Sequence, residues 1–123
     1  MSKFNVYKNI LATTATELIS AKDPFLPERI NICNTSGSST NITIRLESVG
    51  SDDTTKFTYN IIKDMSLNSG ETLILEEKDL VYDITYYNLI IYSTQIVDVI
   101  VTNKNNKYEY NNKAILNGSR RSR

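Results

Sequence analysis

Along this chain the apolar positions recur every second residue, in short runs separated by turn-forming residues. Ile42, Ile44 and Leu46 alternate with Asn41, Thr43, Arg45 and Glu47, the pattern of a strand with one wet face. Phe57, Tyr59 and Ile61 alternate with Lys56, Thr58 and Asn60, and Ile30 and Ile32 alternate with Arg29 and Asn31. Val97, Val99 and Val101 lie opposite Asp98, Ile100 and Thr102. Short apolar and β-branched runs at residues 73–75, 80–84 and 89–92 complete the series. Such side chains suit a pleated, half-buried surface better than a helix.

The punctuation fits the same scheme. Asn34-Thr-Ser-Gly-Ser-Ser-Thr40, Val49-Gly-Ser-Asp-Asp-Thr54 and Asn68-Ser-Gly70 are built from turn formers. Residues 11–21 hold the one helix-like stretch, but its Thr13-Thr-Ala-Thr16 core favours a strand at a sheet edge. Asp23-Pro-Phe-Leu-Pro27 reads as extended, because each proline pushes its predecessor out of the α region. Short strands with turn signals every ~8–12 residues predict one antiparallel β-sandwich. Seven or eight strands are expected, jelly-roll or immunoglobulin-like.

The alternation stops after residue 102. Asn103-Lys-Asn-Asn-Lys-Tyr-Glu-Tyr and Asn117-Gly-Ser-Arg-Arg-Ser-Arg123 are polar and basic. The expected division is a body at residues 1–102 and an arm at 103–123. Charge sharpens it. The whole chain has 14 Lys and Arg against 14 Asp and Glu. Residues 1–101 hold 8 basic and 13 acidic side chains, or −5, and residues 102–123 hold 6 and 1, or +5. Neutrality is a cancellation between an acidic body and a basic arm, a pattern suited to an arm lying on a neighbouring copy.

Composition removes several chemistries. With 123 residues the chain has room for one domain. It has no His and one Cys, so it cannot supply a Cys/His zinc site, a Ser-His or Cys-His catalytic pair, or an internal disulfide. Residues 89–92 are too short an apolar run to span a bilayer, and no apolar h-region follows Lys3. A reducing cytoplasm is the expected site of synthesis. The Asn34, Asn41 and Asn117 sequons are what an Asn-, Ser- and Thr-rich chain generates by chance.

A resemblance now emerges from the order of these features. A Thr-rich first segment, Leu11-Ala-Thr-Thr-Ala-Thr-Glu-Leu-Ile19, precedes a strand ending in Cys33-Asn-Thr-Ser-Gly37. The alternating 41–46 strand follows, then Tyr59-Asn-Ile-Ile-Lys-Asp-Met-Ser-Leu-Asn-Ser-Gly-Glu-Thr-Leu-Ile-Leu75, the Glu77-Lys-Asp79 turn and the closing Val97-Asp-Val-Ile-Val101. Over roughly residues 11–102 this resembles small β-sandwich virion structural proteins of tailed bacteriophages. The resemblance implies a capsid-decoration, neck, tail or baseplate part, made in the host cytoplasm and built into the virion. Its expected partners are other copies, often as a trimer, and other virion proteins. The insert Ala21-Lys-Asp-Pro-Phe-Leu-Pro27 departs from the family's shorter turn.

Candidate chemistry is sparse. Asp52 and Asp53, with Asp64 or Glu47, supply oxygens of the kind calcium takes, but the spacing has no EF-hand logic and a solvated loop is preferred. Glu76, Glu77 and Asp79 raise a glycosidase pair, yet they cluster in a tight turn, where a polar turn is the simpler account. Cys33 is placed on the face opposite Ile30 and Ile32, as a small buried or interface residue without a His to activate it. Tyr82, Tyr86, Tyr87 and Tyr92, with Tyr59 and Tyr108, suit a subunit interface or, as the alternative, a host-glycan platform. Adjacent Tyr86 and Tyr87 would point to opposite faces if extended. Tyr108, Tyr110, Arg120, Arg121 and Arg123 make the arm a candidate for docking on a partner. No groove-reading motif accompanies the arginines, so nucleic acid is not an expected partner. The expectation is a building component, with no enzyme activity, cofactor, metal or membrane partner.

Overall fold

Alternation becomes burial most clearly in the strand Thr40–Ser48, where Thr40, Ile42, Ile44, Leu46 and Ser48 face inward and the residues between them face out. The computed structural model describes residues 4–22, 25–49 and 57–104. Within them run β1 (Val6–Ile10), β2 (Thr16–Ile19), β3 (Pro27–Asn34), β4 (Thr40–Ser48), β5 (Thr58–Leu67), β6 (Thr72–Glu76), β7 (Tyr87–Ser93) and β8 (Val97–Asn103). One 3₁₀ turn, Glu77–Asp79, follows β6.

The strands form two antiparallel sheets of four, ordered β1-β8-β3-β6 and β2-β7-β4-β5. The pairs β4·β5, β3·β6, β2·β7 and β1·β8 are those of one long hairpin wrapped on itself. That is the jelly-roll arrangement. Between the sheets, Ile30 and Ile32 of β3, Ile42 and Ile44 of β4, Leu89 and Ile91 of β7, and the β8 valines are all but inaccessible to water. At roughly 1.5–3 kcal/mol per fully buried aliphatic side chain, this layer is the main stabilising term.

Several expectations need correction. Residues 80–84 are not a strand. Leu80 is buried and caps the 3₁₀ turn, its N–H donating to Glu77 O at 3.0 Å. Asp83 then turns the chain, its Oδ1 accepting from Thr85 N–H at 3.0 Å and Thr85 Oγ1 at 2.7 Å. The Phe57, Tyr59, Ile61 alternation does not produce a buried face either. Phe57 and Tyr59 are 51% and 53% exposed, because β5 is an edge strand whose register shifts against β4 on both sides of Ile44. At one shift Asp64 takes φ 51° and its N–H donates to Thr43 Oγ1 at 3.0 Å, as a bulge re-aims a strand. β1 lies outside the anticipated series, since Lys8 occupies the position between inward Val6 and Ile10 where alternation demands an apolar residue.

The segment 11–21 does contain an edge strand, β2, paired only with β7. β8 runs one residue past the expected boundary at 102. Asn103 is buried, its N–H donating to Asn5 Oδ1 at 2.8 Å and its Nδ2 to Phe4 O at 3.3 Å. Lys104 N–H then donates to Leu26 O at 2.8 Å. The arm at 105–123 lies outside the described residues.

Candidate assembly surfaces

The outer face of the β1-β8-β3-β6 sheet is set by its register. Tyr7 pairs with Ile100, Ile100 with Asn31, and Asn31 with Ile74. Paired residues share a face, so these four form one row across all four strands. Their neighbours Val99, Val101, Ile30, Ile32 and Leu75 point inward, leaving the row outward. Tyr7 is 69%, Ile74 49% and Ile100 39% exposed. In their midst the Asn31 side-chain carbonyl, Oδ1, is shielded from water and has no hydrogen-bond partner among the described residues. A polar atom so placed costs free energy until a donor reaches it.

Polar pairs border the row. On one side Asn9 Nδ2 donates to Asp98 Oδ1, in line with half-exposed Cys33 and with Thr72. On the other, Arg29 Nε stands 3.9 Å from Glu76 Oε1, beside Thr102. An apolar strip with a polar border has the anatomy of a packing surface. A shallow groove of about 250 Å³ runs along it between β1 and β8, walled by Tyr7, Asn9, Asp98 and Ile100.

The opposite outer face, on the β2-β7-β4-β5 sheet, is more polar. Arg45 Nε meets Glu47 Oε2 at 3.0 Å, and Tyr92 pairs with Thr43 here, apart from the other tyrosines.

Three candidate tyrosines lie at one end of the sandwich. Tyr86 and Tyr87 do not diverge to opposite faces. Their rings meet edge to face at 4.9 Å, because Tyr86 still belongs to the turn that Asp83 O closes by accepting from the N–H groups of Tyr86 and Tyr87. Tyr59 packs edge to face on Tyr87 at 5.9 Å. Partial burial, with Tyr59, Tyr86 and Asp83 nearby, raises the Tyr87 phenol above its ordinary pKa. Donation by the Thr85 hydroxyl and amide, and by the Tyr86 amide, holds the Asp83 carboxyl below the usual carboxylate value.

Tyr82 sits in a separate groove of about 240 Å³ and packs on the core. Its Oη is shielded from water without a partner among the described residues, and burial pushes the phenol up to about 12. Tyr108, Tyr110, Arg120, Arg121 and Arg123 lie outside the described residues, as do Asp52 and Asp53.

The acids at the turn have structural occupations. Asp79 Oδ2 accepts from Glu76 N–H at 3.0 Å in a capping box. Glu77 alone of the three lines the Tyr82 groove, and there it is paired with Lys104 Nζ at 2.6 Å. That ion pair holds the Lys104 ammonium above its ordinary pKa. Two carboxyls across a cleft, as a glycosidase requires, are not assembled by these residues. Asp64 is engaged with Thr43, and Glu47 with Arg45. Among the described residues no three acidic or thiol side chains converge as a metal site would need.

Sequence reasoning found tyrosines by residue type and missed Tyr7, Asn31, Ile74 and Ile100. The only local signal was an apolar residue on the wet side of two strands, Ile74 between leucines and Ile100 between valines. No protein-family model and no curated protein matches the chain.

Proposed function

We propose that the chain is a structural subunit of a tailed-phage particle, acting by assembly with copies of itself and with other virion proteins. The virion context rests on the order of strands and turns in the sequence. The observation that carries assembly is the exposed row Tyr7–Ile100–Asn31–Ile74. A neighbour seated on it removes three large apolar side chains from water. Cys33, on the same outer face, becomes a built-in reporter of that contact.

Mass spectrometry of purified particles, with copy number, tests the reading. Presence at a few copies indicates a neck, tail or baseplate part, and hundreds indicate capsid decoration. Absence from the particles, together with a stable monomer in light scattering, overturns it. A trimer is the stoichiometry the family resemblance suggests.

A second reading is a host-surface glycan-binding module. The Tyr59–Tyr87–Tyr86 cluster supports it, since Tyr59 and Tyr86 are 53% and 40% exposed beside one another's neighbour. A glycan array without hits for the assembled protein removes this alternative.

A further inference from the structure

The groove beside Tyr82 lies between the β2–β3 loop and the segment joining the 3₁₀ turn to β7. Leu26, Pro27, Leu80, Val81 and Ile84 supply its apolar walls. Val81 is 84% exposed, the most exposed of the large hydrophobic residues described. Tyr82 also lines the groove, with its Oη turned away from water and without a partner among the described residues. The last described residue, Lys104, is itself part of the wall, fixed by its backbone bond to Leu26 O at 2.8 Å and its ion pair with Glu77.

Nineteen residues follow Lys104 in the sequence. They begin with Asn105-Asn106, a turn-forming pair, and continue to Tyr108 and Tyr110. Tyr108 is four residues from the groove wall, a reach of about 13 Å when extended, so it can return to the groove it has just left. The charges match as well. Residues 105–123 carry Lys107, Lys113, Arg120, Arg121 and Arg123 against Glu109, while residues 76–83 carry Glu76, Glu77, Asp79 and Asp83 against Lys78, with Glu76 facing Arg29 and Glu77 paired to Lys104.

We infer that this groove seats the chain's own residues 105–123, with the Tyr108 ring as the anchor. The aromatic ring covers Val81 and the Leu26–Pro27 wall, and the basic side chains run along the acidic 76–83 segment. Tethering favours the same chain over any free competitor, because the link from Lys104 sets an effective concentration on the order of millimolar. The inference is independent of the virion reading and concerns the isolated subunit.

A full-length protein carrying a photoreactive benzophenone amino acid in place of Tyr108 tests it. Irradiation of the dilute subunit is expected to give a cross-link within a monomer-sized species, mapped by fragmentation to Val81–Ile84 or to Leu26–Pro27. Val81→Asp, at an exposed position that leaves the core untouched, is expected to reduce that cross-link several-fold. A dimer-sized product reports a neighbouring copy's arm and overturns the same-chain seat. Cross-links scattered over the sandwich, or unchanged in Val81→Asp, overturn the groove itself.

Discussion

The side-chain amide of Asn34 donates to the backbone carbonyl of Leu67 across 2.9 Å, tying the end of β3 in one sheet to the end of β5 in the other. The same Nδ2 donates to Ser38 O at 2.8 Å, and Oδ1 accepts from Ser36 N–H at 3.0 Å and Ser36 Oγ at 2.7 Å. Asn34 is fully buried, so water cannot replace its bond to Leu67 O. One side chain thus closes the β3–β4 turn and joins it to the β5–β6 connection.

Asn34→Ala removes both donors and leaves the buried Leu67 carbonyl short of its partner, whereas Ser38 O keeps the Ser36 hydroxyl at 2.8 Å. A loss of about 2–3 kcal/mol is expected, from the cost of an unpaired buried acceptor and the turn bonds lost with it. Urea unfolding with an unchanged m-value measures it. A midpoint shift worth less than about 1 kcal/mol sinks this account of Asn34.

The sandwich and most of its strands were legible because inward residues on β3, β4 and β8 sit at strict two-residue spacing. β1 was hidden by Lys8, which an edge strand tolerates at an inward-parity position because its stem can bend out to water. Residues 80–84 look strand-like because Leu80, Val81 and Ile84 are apolar, yet Asp83 closes a turn there that residue type alone does not announce. The candidate surface was less readable still. Residues 7, 31, 74 and 100 become neighbours only through the register of three strand pairs, which is long-range information.

Tyr82 gives a pH signature. Its phenol is pushed up to about 12 by burial, whereas in the unfolded chain it titrates near its ordinary value of about 10. Between those values the folded state holds a proton that the unfolded state has released. The contribution of Tyr82 is therefore complete below about pH 10 and lost as pH rises toward 12, at up to about 1.4 kcal/mol per unit. Tyr82→Phe is expected to flatten this part of the stability profile relative to the parent protein. At neutral pH it should be no less stable, because it deletes a buried hydroxyl that no described residue bonds. Parallel alkaline profiles for the two proteins would remove Tyr82 as the source.

Gly70 has φ 81°, in the left-handed region, and its N–H donates to Asn34 O at 2.8 Å. A Cβ added there meets nothing within 4 Å, so the cost of Gly70→Ala is backbone strain alone, about 1 kcal/mol. Gly37 also has open space and no positive φ. Gly37→Ala is expected to stay within about 0.5 kcal/mol of the parent. Thermal melts of the two variants separate the cases, and equal Tm values would contradict the distinction.

Ile32 and Ile74 distinguish folding from assembly. Ile32 on β3 is fully buried and faces the core, while its register partner's neighbour Ile74 is 49% exposed on the outer face. Ile32→Ala opens a cavity and is expected to lower stability by about 2–5 kcal/mol. Ile74→Lys and Ile100→Lys keep the inward faces of β6 and β8 intact, so the subunit should change by no more than about 1 kcal/mol. If the row is a packing surface, those lysines place a charge in a dehydrated contact and abolish incorporation into particles or self-association. Cys33 supplies a readout without further substitution, since its thiol lies on that outer face. Its reaction with an aromatic disulfide reagent is expected to slow at least tenfold in the assembled parent and to remain fast in Ile74→Lys. Normal assembly of both lysine variants, with Cys33 equally protected, would move the interface away from this sheet.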